Sequence, residues 1–192
     1  MPPASPTPSP APRVRPATRA ELGFVNSILA GISAKAAGIT KPLNLFTTVG
    51  RHRSMFRRWL LFAGALMPGG KLPRKDTELV ILRVSHRTGA GYEAVHHRVI
   101  GRKVGLSEEE IEAVDRDDLS GGPWTPRQLL LLAAVDELHD ENEISEETFA
   151  GLRGELSDND LVELCMLAGH YTMVAGLINS LKIESDTHRS PQ

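Results

Sequence analysis

Apolar residues recur along most of the chain at intervals of three and four positions, the spacing that places them on one face of an α-helix. No stretch shows the sustained alternation of apolar and polar residues that is typical of a half-buried strand. The first helical stretch shows the spacing at Leu22, Val25, Ile28, Leu29 and Ile32. The pattern therefore predicts an all-α fold.

Capping residues and helix breakers divide this pattern into separate helices. Serine and threonine oxygens accept hydrogen bonds from the first backbone N–H groups of a helix, whereas glycine and proline commonly end one. Helix starts are predicted at or next to Thr18, Pro42, Met55, Pro73, Tyr92, Ser107, Thr125, Ser145 and Ser157. Helix ends are predicted near Gly38, Gly50, Pro68, Thr88, Gly105 and Leu181.

At 192 residues, the chain is long enough for one domain with a hydrophobic core. Residues 1–16 contain seven prolines among alanine, serine and threonine, so they have few backbone donors and little apolar surface to bury. We predict a disordered proline-rich tail over residues 1–17, a single helical domain over 18–185 and a flexible C-terminus over 186–192.

The charge balance gives no sign of a nucleic-acid or membrane partner. The formal net charge is −2 at pH 7, and the densest basic segment, Arg51–Arg53 with Arg57 and Arg58, is interpreted as the solvent face of an amphipathic helix. No uninterrupted apolar run reaches the roughly 18 residues of a membrane-spanning helix, and the N-terminus lacks the apolar segment of a secretion signal. We therefore expect a cytoplasmic protein.

Cys165 is the only cysteine in the chain. A single thiol excludes an intramolecular disulfide and any catalytic cycle that needs two thiols in one chain. Because Cys165 lies in an apolar segment, we expect it to be a buried small side chain.

Glu93 and His97 are the first candidates for chemistry. Four positions apart on a helix, they share a face, and a carboxylate beside an imidazole raises the imidazole pKa and orients the ring. Such a pair can act as a general acid and base. Glu78 lies among apolar residues of the preceding helix and can reach the same face if the two helices pack as a hairpin. The alternatives are an exposed surface pair and an ordinary first-turn glutamate.

Other imidazole and phenol side chains are weaker candidates. Tyr92 and His96 form a second pair four positions apart, which either lines the mouth of a substrate pocket or simply packs. His170 and Tyr171 interrupt an apolar helix, where a polar side chain needs a partner, and we expect a core or interface role for His170.

A metal site is a less favoured interpretation. Glu93 and His96 have the Glu-x-x-His spacing of di-iron helical bundles, but such a site needs a second copy of the motif and further carboxylates. Asp136 and His139 are the only matching pair elsewhere in the chain. We therefore expect no metal.

Several of these segments together resemble the carboxymuconolactone decarboxylase family, which includes the alkyl hydroperoxidase D-like proteins. The resemblance spans about residues 40–183. It is carried by Pro42–Phe46, Glu78–Val84, Gly91–Glu93, His96–His97, Gly105–Glu108, Asp136–His139 and Gly169–Tyr171. It implies an alkyl hydroperoxidase D-like helical bundle that assembles as a trimer or hexamer, with the apolar helix over 161–181 contributing to the interface.

The redox branch of this family combines a glutamate, a Cys-x-x-Cys pair and a histidine four residues after the second cysteine. Counted from Glu78, the cysteine positions fall on Ala90 and Glu93, and the histidine position falls on His97. Peroxidase chemistry needs a thiolate nucleophile and a resolving thiol, and neither replacement supplies one. We therefore do not expect the peroxidase activity of the redox branch.

The decarboxylase branch needs no cysteine, metal or organic cofactor, and its reaction is the loss of carbon dioxide from a γ-lactone acid. Resemblance to this branch implies His97 as the proton donor, Glu93 as its orienting partner and Glu78 as a positioning or relay residue. From their spacing, Tyr92 and His96 are the candidates for binding substrate. We expect a cofactor-independent lyase or isomerase for a small organic acid or lactone. The alternatives are a peroxidase-type antioxidant protein and a non-catalytic oligomeric binding protein.

Overall fold

The structure is a computed structural model that describes residues 11–36 and 41–186. Within these ranges the chain forms α-helices and no β-strand, which confirms the predicted all-α class. The helices are α1 (Arg19–Ala36), α2 (Asn44–Val49), α3 (Arg53–Leu66), α4 (Arg74–Arg87), α5 (Gly91–Lys103), α6 (Glu108–Ala113), α7 (Pro126–Asp140), α8 (Glu146–Glu155) and α9 (Asp158–Leu181).

The helices begin close to the capping residues that predict them. Ser107 accepts a hydrogen bond from the backbone N–H of Glu110, whose carboxylate accepts one from the N–H of Ser107. Thr125 and Gln128 make the same reciprocal pair at the start of α7. These pairs satisfy N–H groups that have no partner inside the helix. The end predicted near Gly38 lies outside the described residues.

One compact unit comprises the described residues of 1–59 and 178–192. In this unit Asn44, at the start of α2, donates from its side chain to the carbonyl oxygen of Glu184 at 3.0 Å. Its backbone N–H donates to the carboxylate of Asp186 at 3.1 Å. These bonds attach the end of the chain to α2.

α1 is kinked at Gly23, which the sequence pattern did not predict. Gly23 has a φ of 76°, a left-handed conformation that favours glycine. The guanidinium group of Arg53 donates to the carbonyl oxygens of Ala20 and Glu21 at 3.0 and 2.7 Å. Arg53 therefore satisfies acceptors next to the kink.

The described part of the predicted tail, residues 11–17, forms no helix. The backbone N–H of Arg13 donates to the carbonyl oxygen of Leu181 at 2.9 Å, so this segment is attached to the same unit. The predictions for residues 1–10 and 187–192 lie outside the described residues.

The other unit, residues 60–177, is built around α4. Every residue of α4 from Asp76 to Ser85 is buried, and α4 packs against α5 and α7. A helix surrounded on all sides needs apolar residues around its whole circumference, which explains the uninterrupted run Leu79–Leu82. The core around α4 comes mainly from α7, α8 and α9.

A tight connection joins α4 and α5 into a helical hairpin. Gly89 has a φ of 63°, which glycine adopts without strain. The backbone N–H of Ala90 donates to the carbonyl oxygen of Ser85 at 2.8 Å, and Ala90 is fully buried at the N-cap of α5. The hairpin brings side chains from α4 and α5 together.

The segment that precedes α4 is held by α9. The carboxylate of Glu163 accepts hydrogen bonds from the backbone N–H groups of Lys71 and Leu72 at 2.8 and 3.1 Å. Backbone donors that are withdrawn from water need such partners. The start of α4 is thereby tied to α9, eight residues before Tyr171.

α9 has an inner face that belongs to the core and an outer face that exposes Val162, Met166 and Met173. Although no uninterrupted apolar run has spanning length, α9 is long and apolar enough to cross a membrane by length and composition alone. Half of its most apolar window is buried within the molecule, as in the core helix of a soluble protein, so this is weak evidence for a membrane span.

Candidate acid–base site

Glu78, Glu93 and His97 lie together on the α4–α5 hairpin. His97 Nδ1 is 2.7 Å from Glu78 Oε2, and His97 Nε2 is 3.2 Å from Glu93 Oε2. All three side chains are buried, and Glu78 has no exposed surface. The protonated imidazole can therefore donate to a carboxylate on each side.

The hairpin explains why these residues meet. Glu93 and His97 are one helical turn apart on α5, while Glu78 comes from the first half of α4. Their burial excludes the interpretation of Glu93 and His97 as an exposed surface pair.

Arg74 extends this arrangement by one residue. Its Nη2 donates to Glu78 Oε1 at 2.9 Å, so Glu78 binds Arg74 with one oxygen and His97 with the other. The four side chains form a continuous chain in the order Arg74, Glu78, His97 and Glu93. With both bases protonated and both carboxylates ionised, their charges sum to zero.

The two carboxylates determine the protonation state of His97. Burial by itself lowers the pKa of an imidazole, but the hydrogen bonds to Glu78 and Glu93, together with their negative charges, outweigh burial and raise the pKa of His97 to about 9. His97 therefore carries a positive charge at neutral pH and holds a proton on each ring nitrogen.

Tyr171 on α9 closes another side of the imidazole. Its ring meets the His97 ring edge-on, with centroids 5.2 Å apart, and its hydroxyl donates to Met67 Sδ at 3.4 Å. Burial, and then the charges of Glu93 and Glu78, raise the pKa of Tyr171 well above its usual range, while Arg74 acts in the opposite direction. Tyr171 is therefore a neutral phenol that keeps its proton.

His170 lies beside Tyr171 in the same part of the molecule. Its ring meets those of Tyr171 and Phe62 edge-on, at centroid distances of 5.2 and 5.3 Å. Burial lowers the pKa of His170, and the charge of Glu93 only partly opposes this. His170 is therefore a neutral packing side chain at pH 7, consistent with the core role expected from the sequence.

Tyr92 and His96, the predicted substrate-binding pair, pack against each other on α5 with ring centroids 4.9 Å apart. Tyr92 is buried and His96 is half-buried. Their role in substrate binding stays a prediction.

The positions that would carry cysteines in a redox relative hold no thiol. Ala90 is buried at the N-cap of α5, and Glu93 is bonded to His97. Cys165 lines a cavity of about 160 Å³ together with Arg87 and His139. The expectation that Cys165 is buried was wrong, because the side chain faces this cavity rather than the core and is exposed.

The described residues offer no group of three or more histidine, cysteine, aspartate or glutamate side chains that could hold a metal ion. In residues 11–36 and 41–186, Glu93 and His96 are therefore not joined by further side chains that could complete a metal site.

Sequence reasoning missed two members of the site, Arg74 and Tyr171. Arg74 precedes Glu78 by four positions, a spacing that favours an ion pair on a helix and could have indicated it. Tyr171 lies 74 residues after His97, and nothing in the local pattern signals their contact.

The sequence model of the Carboxymuconolactone decarboxylase family matches residues 53–137. The matched range contains the whole α4–α5 hairpin, and with it Glu78, Glu93 and His97. No curated protein matches the chain in sequence.

Solved structures share the fold. The alkylhydroperoxidase AhpD core of an uncharacterized peroxidase-related protein from Ralstonia eutropha JMP134 is similar with a TM-score of 0.81 at 20% identity, covering 95% of this chain and 99% of that chain. A peroxidase-related protein from Silicibacter sp. TM1040 gives 0.76 at 16% identity, covering 94% and 95%. The debrominase Bmp8 gives 0.73 at 12% identity, covering 90% and 91%.

At these identities the structural likeness shows the fold alone, which is that of the alkyl hydroperoxidase D-like proteins. The family match adds the sequence of the hairpin that carries the buried imidazole. Residues 53–137, which carry the buried imidazole, therefore match the carboxymuconolactone decarboxylase family in sequence, and the fold is that of the alkyl hydroperoxidase D-like proteins.

Proposed function

We propose that this protein is a cofactor-independent lyase that protonates a carbanion formed from a small lactone carboxylic acid. The observation that carries the proposal is the buried imidazole of His97 between two carboxylates. With a pKa raised to about 9, this imidazole is protonated at neutral pH and can deliver a proton without a metal or an organic cofactor.

In the proposed reaction, the bond between a ring carbon and a carboxylate breaks and carbon dioxide leaves. The electron pair stays on the carbon and spreads onto the conjugated lactone carbonyl oxygen. His97 donates its Nε2 proton to the carbanion, and the neutral imidazole then takes a proton from water. The positive charge of His97 also stabilises the negative charge that develops on the substrate.

We assign different roles to the two carboxylates on the basis of their distances from His97. Glu78 makes the shorter contact, 2.7 Å to Nδ1, and we give it the role of orienting the ring. Glu93 lies 3.2 Å from Nε2, beside the proton that is transferred. This assignment exchanges the roles that the resemblance implied, because the shorter bond to the imidazole comes from Glu78.

The test is decarboxylation of 4-carboxymuconolactone by the purified protein, followed as loss of substrate at pH 7. We expect turnover by the wild type and a loss of roughly 10²- to 10⁴-fold in His97→Asn, because general acid catalysis typically contributes that much. Glu93→Gln should also lose activity, since it removes the carboxylate beside Nε2.

His86 provides a matched control for the His97→Asn variant. Its Nε2 is 3.1 Å from Asp117 Oδ1, so it forms a histidine–carboxylate pair outside the site. His86→Asn makes the same change in the same unit and should keep wild-type turnover. A wild type no faster than His97→Asn would overturn the lyase proposal.

Peroxidase activity has less support. The cysteine positions of the redox branch hold Ala90 and Glu93. Although Cys165 is exposed, its thiol is partly withdrawn from water where it lines the cavity, which raises its pKa and disfavours the reactive thiolate. Peroxide reduction by a two-thiol cycle needs a second cysteine, and this chain contains only Cys165.

Self-association and a cytoplasmic location belong to the same proposal. Val162, Met166 and Met173 are 64%, 46% and 55% exposed on one face of α9, which favours burial against another copy of the chain. We expect a trimer or hexamer, measured as molar mass by light scattering during size-exclusion chromatography. A monomer at micromolar concentration would contradict this part of the proposal.

A further inference from the structure

Two hydrogen-bond donors beside the acid–base pair lack a strong acceptor. Arg74 Nη1 is buried and has no hydrogen-bond partner among the described residues, although Nη2 of the same guanidinium is bound to Glu78. The hydroxyl of Tyr171 donates to the thioether sulfur of Met67 at 3.4 Å. A thioether is a weak acceptor.

Such donors are unusual inside a protein. Most buried polar groups are hydrogen-bonded, and a buried donor on a charged group costs more when unsatisfied than a neutral one. A donor of this kind is available to a bound ligand. Two cases around one imidazole indicate a binding site for an oxygen acceptor.

Arg74 is linked to His97 through Glu78, whereas Tyr171 contacts His97 directly. Arg74 binds Glu78, which binds Nδ1 of His97, and the Tyr171 ring contacts the His97 ring edge-on. The charge of Arg74 also opposes the effect of burial on the pKa of Tyr171, so the guanidinium and the phenol share one electrostatic environment.

The charges at the site permit an anion to bind. The two carboxylates are balanced by Arg74 and His97, so an incoming anion meets no net negative charge. The Arg74 side chain is 33% exposed, whereas that of Glu78 is fully buried and that of His97 is 6% exposed. Arg74 is therefore the most exposed of these three side chains.

We propose that Arg74 and Tyr171 form the substrate-binding donors of the site, with Arg74 holding a carboxylate and Tyr171 the lactone carbonyl oxygen. The inference rests on the proposed lyase function. 4-Carboxymuconolactone has two carboxylates, of which one is lost, and Arg74 is assigned to the one that is kept. Tyr171 donates where negative charge develops as carbon dioxide leaves.

An unreactive probe separates binding from turnover. 5-Oxotetrahydrofuran-2-acetate carries the retained carboxylate and the lactone carbonyl but has no carboxylate to lose from the ring. Its neutral amide is the matched control ligand. Calorimetric titration should show binding of the acid, with binding of the amide at least tenfold weaker because a charge-assisted hydrogen bond is lost.

The variants distinguish direct binding from a structural effect. Arg74→Gln should weaken binding of the acid tenfold or more, and Tyr171→Phe should weaken it about two- to tenfold. Glu78→Gln removes the present partner of Arg74 but keeps the guanidinium, so it should bind the acid at least as tightly as the wild type. If Glu78→Gln weakens binding as much as Arg74→Gln, Arg74 acts only through Glu78 and the inference is overturned.

The remaining outcomes separate this inference from the proposed function. Binding of the acid that depends on Arg74, in a protein that does not decarboxylate 4-carboxymuconolactone, supports the site and rejects the lyase. Turnover with an unchanged KM in Arg74→Gln supports the lyase and rejects the site. A wild type that binds the acid no better than the amide also rejects the site.

Discussion

Two buried arrangements of charge involve α4, and they are satisfied to different degrees. Arg83 is fully buried, and all three of its side-chain nitrogens donate hydrogen bonds, to the carboxylate of Asp136 and to the carbonyl oxygens of Val114 and Arg116. Arg74, nine residues earlier, keeps one buried nitrogen without a partner among the described residues.

The difference in hydrogen bonding suggests that Arg83 stabilises the fold, whereas Arg74 is available to bind a ligand. The bonds of Arg83 connect α4 to α7 and to the loop after α6, and each acceptor is part of the protein. At the acid–base site, by contrast, Arg74 Nη1 has no described acceptor and the Tyr171 hydroxyl has only a thioether. The His97 imidazole beside them is protonated at neutral pH. A fully bonded charge stabilises the fold, whereas an incompletely bonded one can bind a ligand.

The largest expected effect is on stability at Arg83. Arg83→Met leaves two carbonyl oxygens without their donor and leaves the Asp136 carboxylate with Arg87 alone, at 3.5 Å, so we expect a loss of about 3 kcal/mol in the free energy of unfolding. Arg74→Met, whose side chain is partly exposed, should cost about 1–2 kcal/mol. Urea denaturation measures both, and equal losses would remove the distinction between the two arginines.

The next effect is a dependence of stability on pH that comes from His97. The pKa is about 9 in the folded protein and about 6.5 in the unfolded chain, so the folded state binds an extra proton between these values. This contribution is fully present below pH 6.5 and is lost as the pH rises through 9. It amounts to about 3 kcal/mol.

The control for the pH effect is His97→Gln, which removes the titrating group. The difference in unfolding free energy between wild type and variant should shrink from pH 6.5 to pH 9.5. A constant difference across this range would mean that the pKa of His97 is not raised.

A smaller effect is expected at the Tyr171 hydroxyl. Tyr171→Phe removes a hydrogen bond to a thioether and keeps the ring that packs against His97, so the unfolding free energy should change by less than about 1 kcal/mol. Thermal and urea denaturation check this value. A loss above about 2 kcal/mol would give the hydroxyl the same structural importance as the bonds of Arg83.

The smallest effect is expected from modification of Cys165. The thiol lines a cavity with Arg87 and His139 and makes no described contact with the imidazole of His97, so alkylation should leave decarboxylation unchanged. Iodoacetamide treatment, checked by mass spectrometry, provides the measurement, and Cys165→Ser provides the control. Loss of activity in the alkylated wild type, with Cys165→Ser unaffected, would indicate a steric route from the cavity to the site.

The helices could be predicted from the sequence because their signals are local. Ser107 and Thr125 are followed three positions later by Glu110 and Gln128, and the reciprocal bonds form where this spacing predicts them. The kink at Gly23 could not be predicted, because a glycine inside an apolar pattern gives no indication of its φ.

The site was predictable only where its members are close in sequence. Glu93 and His97 follow from the helical period, and Glu78 follows from assuming that α4 and α5 form a hairpin. Tyr171 reaches the site through packing of α9, and the exposure of Cys165 depends on the same packing. Contacts between distant helices depend on the whole core, which a local pattern does not encode.

The carboxylate of Glu163 links the helix that carries Tyr171 to the segment before Arg74. It holds the backbone at Lys71 and Leu72, directly before the turn of α4 that carries Arg74, and it lies two helical turns from Tyr171 on the same helix. The helix that carries Tyr171 therefore also fixes the backbone from which Arg74 starts. The positions of the two donors consequently depend on one helix, so a substitution at Glu163 is expected to affect both of them.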